Sequence, residues 1–175
     1  RGYITGSTST SLWTHYNRGE RTYCGISFPD GLRKNQRLDT PVLTPTTKDE
    51  HDEPLSCEDI VSRGILSQED LDFIKGKAME LFTYGQQVSE ERGLILVDTK
   101  YEFGRDSDGN IILIDEVHTC DSSRFWKKSS YDILFNARKE PEKLDKDSVR
   151  DYVKSVCDPY DLSKEIPTIP ADHLE

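Results

Sequence analysis

The clearest periodic pattern in the chain is that of a helix near its middle. Apolar or small residues recur every three or four positions from Leu71 to Val88, which is the spacing of one helical face. Ser67 and Asp70, three residues apart, are typical of a capping box, and Gly93 is typical of a C-terminal cap. The pattern predicts a long amphipathic helix whose apolar stripe belongs to the core.

Two short apolar runs follow the helix, and each leads directly into charged residues. The first run, LILV at 94–97, fits a strand covered on both faces, and the second is IILI at 111–114. The Asp-Gly pair at 108–109 favours a two-residue hairpin turn, because it tolerates the positive φ angles of a primed turn. Such a turn places Glu102 directly opposite Asp115.

The charged residues after the first run alternate along the chain. Asp98, Lys100 and Glu102 lie two positions apart, so they share one face of a strand. Carboxylates facing each other at about 5 Å, as predicted for Glu102 and Asp115, destabilise a hairpin. A divalent cation reverses that interaction, and Mg²⁺ is usually held by one or two carboxylates together with phosphate oxygens. The alternatives are two solvated acids, or a loop of odd length that breaks the pairing.

The rest of the chain predicts shorter elements. Residues 1–28 mix strand and turn signals with a short helix around Leu12–Tyr16, and residues 29–54 predict an extended ordered loop. HTCDSSRFWKKSSYD, beginning at His118, predicts a loop that leads into helix, and the valines around Tyr152 predict a short amphipathic helix. Together these elements predict an α+β fold with an antiparallel sheet and packed helices.

Composition and charge narrow the class of protein. The 175 residues suit one domain, or one lobe of a larger one, with 34% hydrophobic and 32% charged residues. The net charge of −10 argues against a nucleic-acid partner, and no run approaches the roughly 18 apolar residues of a membrane helix. Four cysteines without CxxC spacing predict reduced thiols of an intracellular protein, with zinc improbable.

Four polar segments carry candidate chemistry, and each has an ordinary structural alternative. RGYITGS at 1–7 offers a guanidinium, a hydroxyl and turn amides that suit a phosphate monoester, or else a plain strand and turn. TPTTK followed by HDE places Asp52 in a proline-bounded loop, which a surface loop explains equally well. DTKYE at 98–102 is costly beside a buried run unless something binds there. Arg124, in DEVHTCDSSRFW, fits either an anion site or a surface salt bridge.

Taken in order, these segments resemble one known family. RGYITGS, TPTTK with HDE, LVDTKYEFG and LIDEVHTCDSSRFW are similar to motifs of the phosphoribosylaminoimidazole-succinocarboxamide synthases (SAICAR synthetases), of the plant-like type. The resemblance extends through LDKDSVRDY near the end of the chain. It implies that residues 1–175 are the larger lobe of a kinase-like, two-lobed enzyme, and that the small lobe with the ATP loop lies outside this chain.

The resemblance also implies an activity. Such enzymes use ATP and Mg²⁺ to join L-aspartate to carboxyaminoimidazole ribonucleotide, giving SAICAR, ADP and phosphate in purine biosynthesis. We therefore expect small-molecule substrates, no nucleic-acid or membrane partner, and a cytoplasmic location, or a plastid for a plant source.

Single residues acquire roles from the same resemblance. Glu102 and Asp115 match the acids that hold Mg²⁺ and position the ATP phosphates. The residues that match the ribonucleotide site are Arg1, Ser7 and Arg124 at its phosphate, and Asp52, Asp98 and Lys100 at its imidazole and carboxylate region. Lys100 and Asp98 are the candidate catalytic residues.

Two other classes of function stay open at this point. A chain without the glycine-rich phosphate loop of the family fits a catalytically incomplete ribonucleotide-binding fragment. A small-molecule kinase would use the same acid pair and metal, and only the RGYITGS and SSRFW matches favour the ligase over it. A requirement for L-aspartate in ADP formation separates the ligase from the kinase.

Overall fold

The protein has the predicted mixture of helices and antiparallel strands. The computed structural model describes residues 1–48, 52–158, 161, 163, 165 and 167–171. The helices within these residues are α1 (Leu12–Asn17), α2 (Cys57–Ser62), α3 (Gln68–Glu91), α4 (Lys128–Asn136) and α5 (Lys146–Val156). The strands are β1 (Tyr3–Ile4), β2 (Thr22–Tyr23), β3 (Ile26–Ser27), β4 (Gln36–Arg37), β5 (Leu94–Thr99), β6 (Glu102–Arg105), β7 (Ile111–Ile114) and β8 (Ser123–Lys127). They pair as β1–β4, β2–β3, β5–β8 and β6–β7, which confirms the α+β fold class.

Helix α3 is the long helix that the apolar spacing predicts. The Ser67 hydroxyl accepts a hydrogen bond from the backbone N–H of Asp70 at 3.1 Å, and Gly93 follows the helix with φ 73°. The buried residues of α3 are Leu71, Ala78, Phe82, Gly85 and Ser89. The Asp70 carboxylate accepts from the Ser67 hydroxyl, whereas a reciprocal capping box forms at α2, between Ser56 and Asp59. The structure also confirms the two short helices that the sequence predicts at α1 and α5, whereas α2 was not predicted.

Removing the cap of α2 is expected to lower the free energy of unfolding by about 1 kcal/mol. Ser56 Oγ accepts from Asp59 N–H at 2.9 Å, so Ser56→Ala leaves a first-turn donor without its partner. Urea unfolding measures the change. Ser62→Ala, at the exposed far end of the same helix, is the control and should change stability by less than about 0.5 kcal/mol. Equal losses in the two variants would contradict the capping role.

Strand β5 is buried as predicted, but its partner lies further along the chain. Leu96 and Val97 are 1% and 0% exposed. The strand pairs with β8 rather than with the next apolar run, and its register is irregular around Val97. The predicted loop is therefore wrong at β8, where Phe125 and Trp126 are buried. These side chains pack into the core because the strand lies against β5.

The predicted hairpin exists, but its predicted register is wrong by one residue. Glu102 lies opposite Ile114, and not opposite Asp115. Lys100 and Tyr101 belong to neither β5 nor β6, so Asp98, Lys100 and Glu102 do not lie on one continuous strand.

The hairpin loop explains the register. Both kinds of two-residue primed turn need a positive φ at the first central residue, and of the Asp108-Gly109 pair only the second residue, Gly109, has one, at 85°. The loop is instead Ser107–Gly109, closed by a bond from Asp106 N–H to the Asn110 carbonyl at 3.0 Å. Asp106 Oδ1 also accepts from the N–H groups of Asp108 and Asn110, at 3.0 and 2.8 Å. The acidic side chain thus stabilises a three-residue loop.

The two faces of the hairpin have different surroundings. Phe103 and Leu113 point to α3, where with Phe73 and Tyr84 they line an apolar groove of about 440 Å³. Because successive side chains of a strand alternate, Glu102 lies on the other face.

Among the described residues, no helix is both long and apolar enough to span a lipid bilayer.

An aromatic cluster holds the start of the chain beside β5. The ring of Tyr3 makes edge contacts with Trp126 and Tyr131, at centroid distances of 5.1 and 5.5 Å. The Gly2 N–H donates to the Val97 carbonyl at 2.8 Å. Arg1, the residue before Gly2, consequently lies at the end of β5 that carries Asp98.

Candidate substrate and metal site

Asp98 is the buried centre of the first part of the site. It is 6% exposed, at the end of β5, and lies directly opposite Arg124 on β8. Arg124 Nη1 donates to both carboxylate oxygens, at 3.1 and 2.9 Å, and Arg1 Nη1 lies 4.0 Å from Oδ2. A buried carboxylate requires such partners, because an unpaired buried charge is strongly destabilising. Two of the three predicted phosphate-binding residues therefore meet here, around Asp98.

Asp147 of α5 contacts the other side of the Arg124 guanidinium. Arg124 Nε donates to Asp147 Oδ2 at 2.8 Å, and Arg150 Nη1 donates to Asp147 Oδ1 at 3.2 Å. Burial lowers the pKa of Arg124, but the charges of Asp98 and Asp147 outweigh this effect and raise the pKa. The row Arg1, Asp98, Arg124, Asp147 and Arg150 (the arginine row) has one more positive than negative group. Such a row suits a bound anion.

Arg1 connects the arginine row to the loop that carries Ser7. Arg1 Nε donates to Thr44 Oγ1 at 2.6 Å, and its Nη2 donates to the Thr10 carbonyl at 3.3 Å. Ser7 is exposed in the loop between β1 and α1, directly after Gly6, which has φ 101°. The loop is therefore next to Arg1, and the contact of Ser7 with a phosphate stays a prediction.

Two lysines flank Glu102 in the second part of the site. Lys100 Nζ lies 2.5 Å from Glu102 Oε1, and Lys48 Nζ donates to Oε2. The hydrogen bonds from Lys100 and Lys48 lower the pKa of Glu102 to about 2. The Glu102 side chain is 11% exposed, whereas those of Lys48 and Lys100 are 77% and 61% exposed. The two ammonium groups are consequently accessible to an anionic ligand.

Asp52 and Asp115 act on the same ammonium group. The hydrogen bond with Glu102 is the main reason that the pKa of Lys100 is raised, burial opposes it, and the charges of Glu102, Asp52 and Asp115 add to it. The charges of three of the predicted acids thus all favour the protonated form of Lys100. His51, in the same predicted motif as Asp52, lies outside the described residues.

The carboxylates at this place fit Mg²⁺ in chemical type. Glu102 and Asp115 offer carboxylate oxygens, and Mg²⁺ usually combines one or two of these with waters and phosphate oxygens. Within the part of the chain that the structure describes, no three or more His, Cys, Asp or Glu residues form a ready-made metal cage. A cation bound there would neutralise Glu102 as the two lysines do in this structure. The assignment of Glu102 and Asp115 to Mg²⁺ stays a prediction.

The chain turns sharply at Asp115. This residue follows β7 with φ 68°, a left-handed conformation that aspartate adopts more readily than most residues. Such conformations cluster at functional sites, where the surrounding structure holds them in place. The carboxylate of Asp115 therefore belongs to a turn and not to the ladder in which the sequence placed it.

Several contributors to the site escape prediction from the sequence. Lys48 and Asp147 complete the ion pairs of Glu102 and Arg124, although both lie in motifs that carry the family resemblance. Tyr101 and His118 form a hydrogen bond of 2.5 Å beside the acids. Lys48 is 54 residues away from Glu102, and no spacing along the chain indicates that they meet.

The fold and the charged groups together define a class of α+β protein in which clustered arginines and lysines suit anionic ligands. The sequence profile of SAICAR synthetase matches residues 1–167. The chain belongs to the SAICAR synthetase family.

Relatives and solved structures agree with this assignment. The phosphoribosylaminoimidazole-succinocarboxamide synthase of Legionella pneumophila (strain Paris) is 58% identical over 161 residues, which are 91% of this chain and 52% of that protein. The chloroplastic enzyme of the same name from Vigna aconitifolia is 54% identical over 175 residues, which are 99% of this chain and 51% of that protein. The chain therefore spans about half the length of these relatives.

Two solved structures show the same fold. The SAICAR synthase of Saccharomyces cerevisiae, complexed with SAICAR, is 31% identical with a TM-score of 0.73, over 99% of this chain and 53% of that one. A type-2 SAICAR synthetase in complex with ADP is 29% identical with a TM-score of 0.58, over 68% of this chain and 47% of that one.

Proposed function

We propose that this chain is the ribonucleotide- and metal-binding larger lobe of an ATP-dependent ligase. The ligase joins L-aspartate to carboxyaminoimidazole ribonucleotide and gives SAICAR, ADP and phosphate in purine biosynthesis. The observation that carries the proposal is the meeting of Arg1 and Arg124 at Asp98, beside a second cluster of Lys100, Lys48 and Glu102. The SAICAR and ADP complexes of the similar structures support both kinds of ligand.

The arginine row would bind the phosphate of the ribonucleotide. Guanidinium groups bind phosphate oxygens by charge-assisted hydrogen bonds, and Arg124 is held in one orientation by two carboxylates. Ser7 would add a hydroxyl from the neighbouring loop. Asp98 orients both arginines, and with Asp52 it would contact the imidazole and carboxylate region of the ribonucleotide.

The lysine cluster would serve the chemical step. ATP transfers its γ-phosphoryl group to the substrate carboxylate, the amine of L-aspartate attacks the resulting acyl phosphate, and phosphate leaves. Two anions must approach each other in the first step, so neutralisation and alignment matter more than a base. Lys100 supplies positive charge, and Mg²⁺ held by Glu102 and Asp115 would supply more.

The test of this function is whether ADP formation depends on L-aspartate. The complete polypeptide that carries this chain is incubated with ATP, Mg²⁺ and the ribonucleotide, with and without L-aspartate, and ADP and SAICAR are measured. We expect both products only when all substrates are present. ADP formation at the same rate without L-aspartate would favour a small-molecule kinase, and ribonucleotide binding without any turnover would favour a binding fragment.

Removing either acid of the metal pair is expected to raise the Mg²⁺ requirement. Glu102→Gln and Asp115→Asn each remove a charged oxygen ligand, so the Mg²⁺ concentration for half-maximal activity should rise by about tenfold or more. Titration of activity with Mg²⁺ at saturating substrates measures this. Asp108→Asn, in the exposed hairpin loop, is the control and should leave the requirement unchanged. An unaltered requirement in both acid variants would refute the metal pair.

The proposed partners and location follow the same reasoning. The net charge of −10 favours small-molecule substrates over nucleic acid. We place the protein in the cytoplasm, or in a plastid for a plant source, since the Vigna relative is named chloroplastic. Fractionation of the source cells, with detection by antibody, tests the location.

A further inference from the structure

Helix α3 has a glycine where the loop after Asp115 approaches it. A Cβ atom on Gly85 would lie 2.4 Å from Cε1 of the His118 ring and 2.8 Å from both ring nitrogens. Gly85 is buried inside the last two turns of the helix, where glycine is a poorer helix former than alanine. The bare backbone at Gly85 therefore makes a seat for the imidazole of His118.

The same imidazole contacts the chain between the two strands that carry the site. His118 Nε2 and the Tyr101 hydroxyl share a hydrogen bond of 2.5 Å, and the two rings meet edge to face at 5.6 Å. Tyr101 lies between Lys100 and Glu102, outside both strands. His118 thus joins three separate segments: helix α3, the break between β5 and β6, and the turn after Asp115.

The loop after Asp115 has two further ties to the same region. The Lys100 N–H donates to the Ser122 carbonyl at 3.1 Å, and the Ser123 hydroxyl donates to Thr99 Oγ1 at 2.8 Å. Both ties lie at the far end of the loop. The near end, where Asp115 has φ 68° and His118 has φ 55°, is tied within the loop by the Thr119 hydroxyl, which donates to the Glu116 carboxylate. Its ties to other segments include the contacts of the His118 ring with Tyr101 and with the backbone at Gly85.

We propose that His118, seated on Gly85 and bonded to Tyr101, is a positioning residue that fixes Asp115 relative to Lys100 and Glu102. The inference rests on the proposed role of Glu102 and Asp115 as metal ligands. Side chains that orient metal ligands from behind typically change metal affinity about 10–100-fold when they are replaced. His118 acts through the backbone between it and Asp115, and it is not itself a ligand.

The experiment measures Mn²⁺ binding, as a probe for Mg²⁺, by electron paramagnetic resonance in the presence of ADP. His118→Phe keeps a ring of similar size and removes the hydrogen bond, and Tyr101→Phe removes only the hydroxyl. We expect each to weaken Mn²⁺ binding about tenfold. The double variant should be no weaker than either single one, because the two groups act as one unit. The KM for the ribonucleotide should change much less than the Mn²⁺ affinity, since the arginine row, which is the proposed phosphate site, is untouched.

The seat on the helix is tested by a pair of alanine variants. Gly85→Ala should weaken Mn²⁺ binding as His118→Phe does, because the added methyl group displaces the ring. Gly76→Ala, on the same helix, is the control: apart from its chain neighbours and the adjacent helix backbone, nothing lies within 4 Å of the new Cβ, and Mn²⁺ binding should be unaltered. If Gly85→Ala does not fold, Gly85→Ala with His118→Ala should fold again while Mn²⁺ binding stays weak.

The possible results separate the inference from the proposed function. Normal Mn²⁺ binding in His118→Phe and Tyr101→Phe would overturn the positioning role and leave the proposed function standing. An equal rise in the KM values of these variants for the ribonucleotide and for MgATP would do the same. Wild-type protein that binds Mn²⁺ no better than Glu102→Gln would instead remove the metal site on which the role depends.

Discussion

Lys100→Met is expected to lower kcat by about 10²-fold or more in the complete polypeptide, which is the effect of losing one preorganised electrostatic group. The Lys100 ammonium lies 2.5 Å from a Glu102 oxygen and is influenced by Asp52 and Asp115. It can therefore neutralise charge when the ATP phosphate and the substrate carboxylate approach each other. Methionine keeps the aliphatic bulk and deletes only the charge.

The stability of Lys100→Met should change little, because the Lys100 side chain is 61% exposed. Initial rates at saturating substrates give kcat, and thermal unfolding checks the fold. Lys77→Met is the matched control: Lys77 pairs with Glu80 on α3, and its loss should leave kcat unchanged. A Lys100→Met enzyme with near-normal kcat, or one that fails to fold, would show that this lysine is structural.

Arg124→Ala is expected to change both stability and ribonucleotide binding. The sequence allows either an anion site or a surface salt bridge at Arg124, and the structure shows Arg124 bonded to buried Asp98 and to Asp147. Removing one partner of a buried ion pair costs about 3 kcal/mol. The KM for the ribonucleotide should rise much more than the KM for ATP, because a charge-assisted hydrogen bond to the ribonucleotide phosphate is lost.

Two controls separate these effects of Arg124. Arg150→Ala removes a 48% exposed partner of Asp147 and should cost less than about 1 kcal/mol. Asp147→Asn weakens the arginine row without removing a proposed phosphate contact, so it should lower stability with a much smaller rise in KM. Denaturant unfolding and initial-rate kinetics below the melting temperature give the two quantities. Equal KM values for Arg124→Ala and Asp147→Asn would refute direct phosphate binding by Arg124.

Elements with local signals could be predicted from the sequence. Helix α3 carries its cap, its apolar spacing and its terminal glycine within one segment, and the structure has the helix where these signals place it. The apolar run of β5 likewise indicates a buried strand. The mixed fold class follows from such elements without knowledge of their contacts.

The partner of β5 could not be predicted in the same way. Lys127 of β8 pairs with Leu94 of β5, and nothing in either sequence segment indicates that it pairs with the other. Its sequence, SRFWK, resembles a loop because polar residues flank two aromatic ones. Burial of Phe125 and Trp126 becomes evident only when β5 supplies the surface against which they pack.

The hairpin register shows how little separates a correct prediction from a wrong one. Asp108-Gly109 favours a primed turn, but the Asp106 carboxylate binds two backbone N–H groups of the loop and favours a longer one. The difference of one residue moves Ile114 to the place predicted for Asp115. Competition between two local turns of similar free energy is beyond what residue preferences can decide.

The sequence names candidate residues for the site but not the contacts that they make. The family resemblance selects Asp98, Lys100 and Arg124, and the structure pairs Asp98 with Arg124 across β5 and β8. Their ion-pair partners Lys48 and Asp147 come from distant segments. Charges that neutralise each other across the fold leave no periodic pattern in the sequence.

The arginine row also has a consequence for how the chain folds during its synthesis on the ribosome. Arg124 follows Asp98 by 26 residues, and Asp147 follows Arg124 by 23. At typical rates of synthesis, several seconds pass between the first of these residues and the last. Until Arg124 is made, Asp98 lacks the partner that donates to both of its oxygens, so we expect the carboxylate to stay hydrated. Because β8 carries Arg124 to Asp98, we expect dehydration of Asp98 to accompany the docking of β8 and not to precede it.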